Sequence, residues 1–353
     1  NNPPANNPPA NNPPANDPPA NNGNNGNNGN NGNNGNNNPP PPAATKFIEL
    51  TTGLDNVIVR TNETVLGNDL TWNAGDQITG KSGTVDINYG AAPGPFFGTI
   101  TNVDLVNLTT QGPTVQSATL WTDVDHINVK QSTGALKLDD LQATSNDAAS
   151  GTGFTTYSVR DYVTGNTVTF NFDIQAANAG NTIVDLGVSE VTGGILLNSG
   201  VGGDIETVQM HIEDVAGATS KIASFSAQGI QTLKIDGGTA GLAFEIVAPL
   251  DAGLKTIDAA TAASNLTLDV SKSTQNMKIT LGTGNDLLKT GDTLGPVIGA
   301  NDTLIGGSGT DTVEAIFTTA GTRQPVMSGF EVATLTFNAN ATFNFTDTND
   351  LAT

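Results

Sequence analysis

One strand phrase returns along this sequence at a nearly constant distance. Val124-Asp125-His126-Ile127-Asn128-Val129, Ile205-Glu206-Thr207-Val208-Gln209-Met210 and Ile230-Gln231-Thr232-Leu233-Lys234-Ile235 share one apolar–polar phrasing behind a turn, and Leu254-Lys255-Thr256-Ile257 repeats it more loosely. The last three begin at Ile205, Ile230 and Leu254, almost evenly apart, and the first follows a similar strand at Val103 by nearly the same step. Alternation of period two buries one face of a strand. The same strand at one phase every twenty-odd residues is what a β-solenoid coil requires, because no coil can bury its apolar face until the next stacks on it. An antiparallel β-sandwich also suits short strands and glycine turns, but it gives no reason for one phrase to recur. The expected fold class is all-β, a parallel β-solenoid or β-roll.

A second pattern says what the turns are for. Gly306-Gly307-Ser308-Gly309-Thr310-Asp311-Thr312-Val313-Glu314 fits the nonapeptide G-G-x-G-x-D-x-U-x at every defined position, with Val313 as the large apolar residue. Asp302 lies one nonapeptide earlier, with Leu304 at the offset of Val313 and Ala300 in place of a glycine. Gly282-Thr283-Gly284-Asn285-Asp286-Leu287-Leu288 repeats the pattern, with Leu281 where the first glycine would stand. Glycines admit positive φ and let carbonyl oxygens turn inward, and the aspartate adds a hard carboxylate. Stacked turns of this kind would surround a cation with oxygen, which suits Ca²⁺. The candidate metal residues are Gly282, Gly284, Asp286, Asp292, Asp302, Gly307, Gly309 and Asp311. Ordinary Gly/Asp turns between strands are the plain alternative.

A similar order of turns occurs near the start. Residues 1–44 are a low-complexity spacer of NNPPA and NNG repeats, whose only apolar side chains besides proline are alanines. Such a segment cannot bury enough surface to offset chain entropy. From 45 to 131 glycine–aspartate turns alternate with strands, and Asp55, Asp76 and Asp86 are the counterparts of the later aspartates. Between 132 and 202 the period is lost. There Tyr157-Ser158-Val159-Arg160 and Val168-Thr169-Phe170-Asn171-Phe172 read as antiparallel strands of an irregular subdomain, with a short helix expected from Asp139 and Asp140. From 203 to 353 the solenoid period returns and runs into the second set of nonapeptide turns.

Charge and composition narrow the function. The chain carries 34 acidic against 13 basic residues, a net charge of −21, so it cannot offer a phosphate-neutralising surface to nucleic acid. It has no cysteine, which removes disulfides and thiolate metal sites. No apolar run approaches the length of a membrane helix. His126 and His211 lie inside strand phrases without a partner histidine and read as strand-surface residues. His211-Ile212-Glu213-Asp214 is not HExxH, and G-x-S-x-G is absent. The expected protein is not an enzyme.

At Gly306–Glu314, at the GDTL phrase of Gly291–Leu294, at Ser328-Gly329-Phe330-Glu331 and at Leu50–Val57, the sequence resembles the RTX calcium-binding surface-layer (S-layer) proteins of Gram-negative bacteria. The resemblance implies a secreted, extracellular β-solenoid that binds Ca²⁺ and self-assembles as a homo-oligomeric lattice or filament on the cell surface. It further implies type I secretion, and attachment to lipopolysaccharide through an N-terminal domain that these residues do not contain. A calcium-dependent adhesin shares most of these features. A polysaccharide-active enzyme shares fewer.

Overall fold

The computed structural model describes residues 45–141, 155–162, 165–173, 182–200, 203–291 and 302–344, and the backbone of 348–349. Asp292 of the candidate residues falls outside them. The fold is an all-β parallel solenoid. Among the described residues there is no helix, and each strand pairs in parallel with its counterpart one coil away.

The first coils are formed by β1 (Lys46–Glu49), β2 (Asn56–Val59), β3 (Glu63–Asn68), β4 (Gln77–Gly80), β5 (Thr84–Asn88), β6 (Thr99–Thr109), β7 (Thr114–Ser117) and β8 (Trp121–Lys130). The long strands β6 and β8 each turn a corner at a left-handed residue, Asn102 (φ 56°) and Asp123 (φ 52°). Asn and Asp tolerate this conformation better than other side chains with a Cβ. As a result β6 pairs with β4 through its first half and with β5 through its second.

The middle coils contain β9 (Leu136–Leu141), β10 (Thr156–Arg160), β11 (Thr167–Phe172), β12 (Ile183–Ser189), β13 (Gly194–Ser199), β14 (Thr207–Ile212), β15 (Lys221–Ile222) and β16 (Ser224–Ala227). Among the described residues of 132–202 the strands expected to be antiparallel pair in parallel instead. β10 lies parallel between β8 and β12, and β11 lies parallel between β9 and β13. Asp139 and Asp140, from which a short helix was expected, lie in β9, and the residues that would continue that helix fall outside the described ones. The physical reason is coil length. In the inward row Val85–Val106–Ile127–Tyr157–Leu186–Met210 the steps from Ile127 to Tyr157 and from Tyr157 to Leu186 are clearly longer than the rest, and these two coils hide the period. They are filled by larger rings, with Tyr157 edge-on to Phe170 and Phe172 at 5.5 and 5.3 Å.

The last coils contain β17 (Thr232–Gly237), β18 (Ala243–Ile246), β19 (Thr256–Ala262), β20 (Asn265–Asp269), β21 (Lys278–Thr280), β22 (Leu287–Thr290), β23 (Thr303–Ile305), β24 (Thr312–Phe317), β25 (Gly321–Arg323), β26 (Val326–Ser328), β27 (Val332–Phe337), β28 (Ala341–Phe343) and β29 (Thr348–Asn349). One 16-stranded sheet runs the length of the solenoid from β1 to β29. A second layer faces it, first as the sheet of β7, β9, β11, β13 and β16, then as that of β15, β18, β20, β22, β24 and β27.

Between the layers, rows of identical register supply the core: Val208, Leu233, Ile257, Ile279 and Leu304 follow one another in neighbouring coils, all at most 1 % exposed. Close packing of this kind senses one methylene. Ile279→Val is expected to cost about 1 kcal/mol in urea denaturation. An unchanged midpoint would mean that the row is looser than its burial indicates.

Candidate metal centre

The glycine-rich turns 282–286 and 306–311 lead into β22 and β24, and Leu287 pairs with Thr312. This register stacks Gly282 on Gly307, Gly284 on Gly309, and Asp286 on Asp311. The approach requires glycine. A Cβ on Gly307 (φ 104°) would stand 2.1 Å from the carbonyl oxygen of Gly282, and one on Gly309 (φ 140°) would stand 2.0 Å from that of Gly284. Both φ values lie where side chains with a Cβ are disfavoured.

Carboxylates form a ladder along the same corner. The Leu266 N–H donates to Asp286 Oδ1 (2.7 Å), the Asp286 N–H to Asp311 Oδ1 (2.8 Å), and the Asp311 N–H to Glu331 Oε2 (2.7 Å). An amide at the end of a strand that finds no acceptor in the sheet takes the carboxylate of the next coil, and the charge strengthens the bond. The device recurs throughout the solenoid. Asp76 accepts from the Asp55 N–H (2.9 Å), Glu206 from the Thr182 N–H (2.7 Å), Asp251 from the Ala227 N–H (2.9 Å) and Asp302 from the Met277 N–H (2.6 Å). Many of the acidic residues are therefore corner staples.

Some of these staples use both oxygens. The second oxygen of Asp286 accepts the Gly282 N–H (3.1 Å), and that of Asp76 accepts the Asn73 N–H (2.6 Å). Asp311 differs. It is wholly buried, and its Oδ2 has no hydrogen-bond partner. That oxygen and the carbonyl oxygen of Gly329 converge on Gly306, where a Cβ would be 2.9 Å from the first and 1.8 Å from the second. At the next residue, Gly307, the carbonyl oxygens of Gly282 and Leu281 lie 2.1 and 3.0 Å from the corresponding point, and the Gly282 oxygen also accepts the Ser308 N–H at 3.0 Å. A buried carboxylate lone pair next to main-chain carbonyls is a hard, all-oxygen donor set of the type that Ca²⁺ takes. Among the described residues no group of three or more His, Asp or Glu side chains gathers as a metal cluster. A cation here would take its charge from Asp311 and a main-chain oxygen from Gly329.

Electrostatics single out the same residue. Burial is the largest influence on Asp311 and raises its carboxyl to about 6; the nearby charges of Asp286 and Glu331 add to the rise, and the bond from the Asp286 N–H opposes it. Burial also raises Asp286, against the bonds from the Leu266 and Gly282 amides. Keeping Asp311 ionised at neutral pH is thus unfavourable unless a positive charge joins it.

The other sequence candidates are placed as follows. Asp55 and Asp76 stack at the start of β2 and β4, in the same staple relation as Asp286 and Asp311. Asp302 is buried at the start of β23, in the large sheet rather than in the Asp311 ladder. Asp86 does not join any turn: it lies mid-strand in β5 and pairs with Lys130 at 3.1 Å. Glu331 and the Gly329 carbonyl were not among the sequence candidates. Their signal was the coil length, since Glu331 stands one coil beyond Asp311 as Asp311 stands one coil beyond Asp286.

Both histidines lie on strands of the large sheet, as their phrases indicated. His126 bonds to Thr156 Oγ1 and Ser158 Oγ, and burial lowers its pKa. No family model, curated protein or solved structure matches the chain.

Proposed function

We propose that this chain is an extracellular structural protein that folds around Ca²⁺ and self-assembles into a bacterial surface layer or filament. The observation that carries the calcium part is the unpartnered, buried Asp311 Oδ2, which converges with the Gly329 carbonyl oxygen on Gly306. Calcium would neutralise Asp311 and lock the coils of β22, β24 and β27 through their shared corner. Modules of the extracellular type bind at about 10⁻⁴ to 10⁻³ M, so the coils would close outside the cell and stay loose inside it. At a hundredfold excess over Kd, the bound ion adds about 2.7 kcal/mol.

Self-assembly is supported by where the apolar surface lies. Phe47, Leu54, Ile58 and Leu70 are exposed in the first coils and Ile316, Val326, Val332 and Phe337 in the last, with Phe97, Leu120, Val215 and Val247 spread between them. A solenoid has sheet edges at both ends, and unpaired edges with apolar side chains favour association between chains. The secretion route and the anchor to lipopolysaccharide rest on the RTX resemblance alone.

The test is negative-stain electron microscopy of purified protein in calcium and in chelator. Ordered sheets or filaments that disappear on chelation are the expected result. Dispersed particles in both conditions would shift the assignment to a monomeric adhesin, and assembly indifferent to chelator would sink the calcium switch.

A further inference from the structure

The outward face of the large sheet carries a cluster that the metal centre does not use. His211 on β14 sits between two carboxylates from the coils on either side. Its Nε2 is 2.9 Å from Asp185 Oδ1 on β12, and its Nδ1 is 2.5 Å from Asp236 Oδ1 on β17. A carboxylate can only accept, so each ring nitrogen has to carry a proton, and a neutral imidazole has just one. The geometry is that of an imidazolium bridging three coils.

The surroundings favour that charge. Just past the end of β14 the charge of Glu213 acts on the ring, and Arg160 on β10 holds Glu213 at 2.6 Å. Lys234 of β17 lies one register step away, opposite Gln209. His126 on β8 feels both Arg160 and Asp185. For His211, burial works against the ion, but the bond to Asp236 and the charges of Asp185, Asp236 and Glu213 together outweigh it and raise its pKa above 6.5. About a third of the side chain is exposed, so protons have access.

We propose that His211 is a proton-operated clamp, holding the coils of β12, β14 and β17 together while charged and releasing them at alkaline pH. The sign follows from the raised folded value. The clamp contributes fully below the unfolded value of 6.5 and is lost as pH rises through the folded one. Deprotonation leaves Asp185 and Asp236 facing a ring that can satisfy only one of them, with Glu213 close by. The central coils then carry uncompensated negative charge at an otherwise well-paired sheet.

Two measurements on the full chain decide it. In an NMR titration of the two histidines, His211 is expected above and His126 below a free histidine. Amide exchange corrected for intrinsic rate should show opening of β12 and β17 at least about tenfold greater at pH 9 than at pH 6, and His211→Gln should abolish that difference. If His211→Gln folds poorly, Asp236→Asn serves instead, and should lower the His211 pKa without removing the ring. His211 titrating at or below the free value, or exchange with the same pH dependence in wild type and variants, would overturn the clamp.

Discussion

Replacing Asp311 with asparagine is expected to stabilise the calcium-free protein by about 2–3 kcal/mol at pH 7.5, and to erase the response to calcium. The carboxyl moves from 3.8 to about 6 on folding, so keeping it ionised in the native state costs about 3 kcal/mol at neutral pH. The folded chain holds this proton more tightly than the unfolded chain, so stability falls as pH rises from about 4 to about 6 and is level above that. Asparagine removes the charge but keeps an oxygen for the Asp286 N–H, and its new amide can donate toward the Gly329 carbonyl. The check is thermal melting in chelator and in millimolar calcium. The wild type should gain stability with calcium, whereas Asp311→Asn should start higher and stay level. A variant that melts lower in chelator would show that the buried charge is already compensated without metal.

Asp286→Asn should behave in the opposite way. Both oxygens of Asp286 accept main-chain amides, from Leu266 and Gly282. An asparagine NH₂ would point a donor at one of them. Leaving one buried amide unmatched costs about 1–3 kcal/mol, so this variant should melt lower in chelator than the wild type. Two aspartates at equivalent positions of the repeat therefore give mutations of opposite sign.

Gly307→Ala is expected to destabilise by several kcal/mol. A methyl group 2.1 Å from the Gly282 carbonyl oxygen has to push the two turns apart, and φ of 104° adds strain of its own. Overpacking of this kind costs about 1–3 kcal/mol and a disfavoured backbone about 1–3 more. Gly217→Ala is the control, because φ is 93° there but nothing lies within 4 Å of the added carbon. It should cost the backbone share alone, about 1–3 kcal/mol. Urea denaturation of the pair separates crowding from strain. Equal midpoints would mean that the stacked turns can spread apart freely.

The solenoid was legible because stacking in register demands a repeat. The phrases that begin at Ile205, Ile230 and Leu254 are β14, β17 and β19 with the residues leading into them, paired side by side. The phrase failed between 132 and 202 for the same reason. The two long coils on either side of Tyr157 keep the inward row but move it off the period. The strands Thr156–Arg160 and Thr167–Phe172 therefore look unrelated until Tyr157 is seen between Ile127 and Leu186. The glycines of the nonapeptide turns were legible too, since only contact between two backbones requires them. Glu331 stood in a quoted phrase but was not among the candidate metal residues, because it follows Asp311 by a shorter step than Asp311 follows Asp286.

Sequence alone determined that this chain is all-β, that its coils stack in parallel, and that glycine–aspartate turns occupy their corners. Those properties follow from short-range alternation and from a repeat distance, both of which are written along the chain. Tertiary structure decided which aspartates are spent on the backbone and which retains an oxygen for something else. That depends on which groups of the neighbouring coils, distant in sequence, face each oxygen. For Asp76 one oxygen meets the Asp55 amide and the other a local amide; for Asp286 the pair is Leu266 and Gly282. For Asp311 the second oxygen finds no hydrogen-bond partner. The same holds for His211, whose proton is fixed by one carboxylate from the coil before it and one from the coil after.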